Sequence, residues 1–95
     1  MEFVQITDID SADFKAATDI YLHSFPVNER QALETIKERI GKGLNQLYIG
    51  RADNEVVFVA LLWPLSGTDF ILLDYMATHA LHRGKSIASL FMQSI

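Results

Sequence analysis

Between an apolar run that ends at Ala77 and an amphipathic stretch that begins near Ile87 lies the segment His82-Arg83-Gly84-Lys85-Ser86-Ile87-Ala88. Its residue types fit an anion. The first turn of a helix leaves backbone N–H groups without intrahelical partners and aims them, with the positive end of the helix dipole, at whatever lies beyond. Arg83 and Lys85 add positive charge, and Gly84 lets a ligand approach the backbone closely. The plainer reading of the same residues is a strand-to-helix loop carrying two solvated cations. Charge is unevenly placed along the chain: no acidic residue follows Asp74, whereas His79, His82, Arg83 and Lys85 do. That asymmetry favours an anionic ligand near the C-terminal end.

Asp74 is the candidate proton acceptor. It interrupts the apolar run Phe70 to Ala77, where a carboxylate is unfavourable unless paired or used. Burial would raise its affinity for a proton into a range useful for general-base chemistry. The alternative is that strand alternation turns it toward solvent or a cation on a neighbouring helix. His23, His79 and His82 are not spaced as a zinc site, the last two fall in a loop with no carboxylate nearby, and the chain has no cysteine. No metal is expected.

The elements that must position these groups follow from periodicity and punctuation. Glu2 to Thr7 reads as a short strand. Asp10-Ser11 offers a helix N-cap with Asp13 in the first turn. Phe14, Ala17, Thr18, Tyr21, Leu22 and Phe25 then recur at spacings of three and four, and Pro26 stops that helix. A second helix is expected from Asn28, with Glu29 and Arg30 in its first turn and Leu33, Ile36 and Ile40 as its apolar stripe. Gly41 and Gly43 end it. Leu47 to Ala52 and Glu55 to Leu62 flank Asp53-Asn54, a pair that tolerates the positive φ of a tight hairpin. The run Val56 to Trp63 is almost wholly apolar, as for a central strand buried on both faces. After Pro64 and a Ser66-Gly67-Thr68-Asp69 reversal comes the strand Phe70 to Ala77. A third helix from Ser86 carries Ile87, Leu90, Phe91 and Ile95.

The order strand, helix, helix, three strands, helix describes one α/β domain over residues 1–95 with an antiparallel meander at its centre. The composition, 49% hydrophobic and 21% charged, is that of a globular chain, and the net charge of −4 argues against general nucleic-acid binding. No apolar run approaches the roughly 20 residues of a membrane-spanning helix. The N-terminus lacks the basic and apolar regions of a signal peptide, so a cytoplasmic protein is expected. The last helix meets no stop signal at Ser94-Ile95, which reads as a truncated fold.

The stretch Leu73 to Ala88 resembles the coenzyme A signature of the GNAT N-acetyltransferases. That pattern is Arg or Gln, two residues, Gly, one residue, then Gly or Ala. Arg83 and Ala88 match its ends, Gly84 and Lys85 are common fillers, and Ser86 stands where the family keeps its middle glycine. Ala80, His82 and Thr78 replace a frequent proline, aromatic and valine. Tyr21, Ser24-Phe25-Pro26 and Glu29-Arg30 resemble a phrase at the first helix junction of many bacterial members. The element order is similar to the front half of the GNAT fold, a mixed, mostly antiparallel sheet flanked by helices.

The resemblance implies an enzyme that moves an acetyl group from acetyl-CoA, as cosubstrate, to an amine acceptor. Met76, Ala77 and Thr78 would pair by backbone with the pantetheine arm. The N–H groups of Gly84, Lys85, Ser86, Ile87 and Ala88 would hold the pyrophosphate beside Arg83, and Asp74 would act as base. Glu29 and Arg30 would border the acceptor pocket, or else simply charge a helix start. Ser86 either crowds the phosphate or bonds it through its hydroxyl. The alternatives are a non-catalytic coenzyme A-binding module and an oligomerising fragment. An uncovered fourth-strand edge and third-helix stripe are expected to drive a homo-oligomer, as a twofold dimer.

Overall fold

The computed structural model describes residues 1–26, 28, 32–65, 67, 71–79 and 87–94, with Asp74 and Ser94 described by their backbone alone. The elements run β1 (Glu2–Ile6), α1 (Ala12–Ser24), α2 (Leu33–Gly41), β2 (Gln46–Ala52), β3 (Glu55–Pro64), β4 (Ile71–Thr78) and α3 (Ile87–Ser94). The four strands form one sheet in the order β1-β2-β3-β4, each pair antiparallel.

Local chemistry sets most boundaries. Ser11 caps α1, its Oγ accepting from the Phe14 N–H at 3.1 Å. The same hydroxyl donates to the Asp8 carbonyl at 2.8 Å. At the other end Phe25, held extended before Pro26 (φ −124°, ψ 134°), closes the helix with its N–H on the Tyr21 carbonyl. The β2–β3 turn carries Asp53 at φ 52° and Asn54 at φ 66°, the conformation of a two-residue hairpin whose twist matches its strands. Ser11→Ala is expected to cost about 1 kcal/mol through the lost cap. In a domain of this size that corresponds to a Tm lower by roughly 4–8 °C, measurable by circular dichroism.

One boundary differs from the sequence expectation. α2 begins at Leu33, not Asn28, and Ala32 before it is extended (φ −65°, ψ 141°) with no side-chain cap. The helix starts where its apolar stripe starts. Ile36 is buried against the sheet, so this short helix is held by packing of its apolar face and not by a polar cap. At its far end Gly43, at φ 73°, takes the left-handed position, and the Leu44 N–H reaches back to the Arg39 carbonyl at 2.8 Å.

The sheet is covered on both faces. Against one face α1 and α2 pack Phe14, Ala17, Ile20, Tyr21 and Ile36 onto Ile6, Leu47, Ile49, Val59, Leu61 and Ala77. Against the other, Ile87 and Phe91 of α3 pack onto Val57, Phe58, Ala60 and Leu62. Strand β3 lies between, and Val57 through Leu62 are all buried, as the apolar run required. Ile87 and Phe91 are thus covered by the chain's own sheet, which corrects the expectation that this stripe stands uncovered. Leu90 and Met92 face outward.

Near the end of the internal strand β2, Arg51 pairs with Asp13 in the first turn of α1. The pair is partly buried, and it fastens the start of the helix to the strand beside an irregularity in β2–β3 pairing. There Gly50 faces Phe58 and Arg51 faces Val56, leaving Val57 as the extra residue of a bulge.

Candidate functional site

Of the residues singled out by sequence, the structure describes Met76, Ala77, Thr78 and the backbone of Asp74 on β4, and Ile87 and Ala88 at the start of α3. Met76, Ala77 and Thr78 stand opposite Ala60, Val59 and Phe58. Met76 packs among the α3-side residues, while Ala77 belongs to the core on the α1 side. Among the described residues no strand lies beyond β4. In an antiparallel ladder alternate residues aim their backbone N–H and C=O away from the paired neighbour, so β4 presents a row of such groups along its outer edge.

This strand is not regular. Leu62 faces Leu73 and Leu61 faces Tyr75, so Asp74 is the extra residue of a bulge. The bulge resets the alternation: Leu73 packs on the α3 side, and Tyr75, two residues on, packs on the α1 side. A bulged residue is left out of the ladder and bends its strand, a device common beside active sites. Sequence reasoning missed it. The only sequence signal was the aspartate itself, set in an apolar run too uniform to show a break in alternation.

Past Thr78 the strand is held a little longer. The His79 N–H donates to the carbonyl of Val57 at 2.7 Å, so the bulged residue of β3 anchors the departure of β4. Residues 80–86 come next, outside the described residues, and α3 starts at Ile87. Ile87 is buried and Ala88 half-buried against the sheet. The first turn of α3 is therefore docked on the sheet. Arg83, Gly84, Lys85 and Ser86 lie outside the described residues, as do Glu29, Arg30 and the side chain of Asp74.

On the α1 side of the bulge stands an aromatic group. Tyr75 meets Tyr21 and Phe25 edge-on, each at 5.1 Å between ring centroids, and Tyr21 meets Phe25 at 5.4 Å. Such geometry matches the positive ring edge to the negative face. The rings leave only a cavity of about 10 Å³ against Thr18, Ile36 and Met76, space for a single water. Tyr48, on the other face, packs its ring against Phe91 at 5.7 Å.

His79 also departs from its sequence reading as a loop residue without carboxylates nearby. It lines a cleft with Asp19 and His23 of α1 and Glu55 of β3. Among the described residues no three histidines or carboxylates are grouped to hold a metal. No helix among them is long and apolar enough to cross a membrane.

No family model and no curated protein sequence matches the chain. Solved structures do. A protein from Bacteroides thetaiotaomicron assigned to the GNAT family of acetyltransferases superposes over 99% of this chain with a TM-score of 0.82 at 21% identity. The fold is that of the GNAT acetyltransferases. This chain spans 53% of that protein's length, so the GNAT fold is matched here in part. The ribosomal-protein-alanine N-acetyltransferase of Brucella melitensis matches at TM-score 0.73 and 16% identity, over 99% of this chain and 67% of its own. An acetyltransferase from Clostridium acetobutylicum, solved with acetyl-CoA, matches at TM-score 0.58 and 13% identity, over 98% and 69%. The GNAT fold accounts for the element order and the antiparallel sheet flanked by helices.

Proposed function

We propose that the chain carries the coenzyme-binding part of a cytoplasmic N-acetyltransferase, which moves the acetyl group of acetyl-CoA to the nitrogen of an amine acceptor. One observation carries this reading: a bulged β4 with an outward backbone edge runs into a docked helix start, with a cationic segment between the two. That arrangement fits the cosubstrate. Met76, Ala77 and Thr78 offer backbone groups to pair with the amide-rich pantetheine arm as a neighbouring strand would. The N–H groups from Gly84 to Ala88 hold the pyrophosphate, with Arg83 adding charge-assisted hydrogen bonds. Acetyl-CoA, when bound, would supply the thioester: the amine nitrogen would bond to its carbonyl carbon as the carbon–sulfur bond breaks, and coenzyme A would leave as the thiolate. Asp74, at the bulge, takes the proton the amine must lose, and Glu29 and Arg30 border the acceptor. No metal enters the reaction.

Acetyl-CoA is therefore expected to raise the Tm of the purified protein, since a ligand bound only by the native state stabilises it by mass action. Arg83→Glu should remove most of that shift. No shift at millimolar acetyl-CoA in either protein overturns the proposal. The second reading is a non-catalytic coenzyme A-binding protein, which Ser86 favours by placing a side chain where the signature has glycine. Thiol release in the presence of a panel of amines separates the two: a thermal shift without turnover supports the second.

We also propose that the protein self-associates as a twofold dimer. Ile71 and Leu72 are consecutive at the start of β4, and both are about half exposed, at 51% and 52%. One residue on each side of the strand is thus uncovered at an edge with no charge from Ile71 to Leu73, and an uncharged edge favours strand pairing. Sedimentation at micromolar concentration should show a dimer, which Leu72→Lys should dissociate. A stable monomer for the unmodified chain overturns this.

A further inference from the structure

We draw no further inference here: the strongest candidate, the cleft between the last turns of α1 and the adjoining ends of β3 and β4 that gathers Asp19, His23, Glu55 and His79, brings no three of its imidazoles and carboxylates close enough to share a cation, and nothing else in it selects a ligand.

Discussion

Phe91→Ala should be the most damaging single change in the α3 layer, with an expected loss of about 3–5 kcal/mol. Phe91 has no solvent exposure. Its ring meets Phe58 at 5.2 Å, Phe3 at 5.4 Å and Tyr48 at 5.7 Å between centroids. Three strands therefore lose a shared partner at once. Ile87 is the other buried anchor of this short helix, and eight residues are too few for a helix to persist without tertiary support. Total stability for a chain of this length is about 5–14 kcal/mol, so the change removes a large share of it. Chemical denaturation should show a midpoint shifted down in proportion, and the part of the helical signal that belongs to α3 should be lost before the sheet unfolds. An unfolding free energy within about 1 kcal/mol of the parent's would mean that α3 is not held by this ring.

Gly50→Val tests the same layer from the opposite direction, by adding volume. A Cβ at Gly50 would lie 3.0 Å from the Phe58 Cβ and 3.1 Å from Cε1 of Phe3. Phe58 is fully buried and its Cβ is fixed to the backbone of the central strand, so it cannot step aside as a flexible side-chain end could. Valine is the better strand residue, a preference worth up to about 1 kcal/mol. Overpacking typically costs 1–3 kcal/mol, so the steric term wins. A net destabilisation of about 1–2 kcal/mol is expected by thermal or chemical unfolding. A stabilised Gly50→Val protein would show that the aromatic layer can open without penalty.

Both predictions concern a face of the sheet that the sequence only half revealed. The apolar run of β3 showed that a strand must be covered on two sides, and the spacing of Ile87 and Phe91 marked a helix able to cover one of them. What periodicity could not say was that these two surfaces belong together, because pairing a helix face with a sheet face is a non-local choice. The Ser11 cap of α1, the glycine end of α2 at Gly43, the Asp53-Asn54 turn and the stop at Pro26 were legible because each rests on the conformational limits of one or two residues. The start of α2 was not, since this helix is held by packing of its apolar stripe and carries no side-chain cap. The bulge at Asp74 escaped for a related reason. A bulge is a relation between two strands, and a strand apolar on both sides carries no alternation for it to disturb. For the candidate site, the segment from Arg83 to Ala88 was legible as a motif. The structure adds the docked start of α3 and the anchored end of β4 on either side of it.

The burial of β3 on both faces has a consequence for how the chain must be made. Val56 to Trp63 is uncharged, rich in branched and aromatic residues and free of proline, the composition of segments that stack into fibrils when left open. In the native state this hazard is sealed beneath α1 and α2 on one side and α3 on the other. During synthesis it is not, because α3 comes after β3 along the chain. Glu55 and Pro64 stand at the two ends of the strand, and a charge and a proline flanking a sticky segment are the residues that hinder its stacking. The ends of β3 thus guard the nascent protein until α3 arrives.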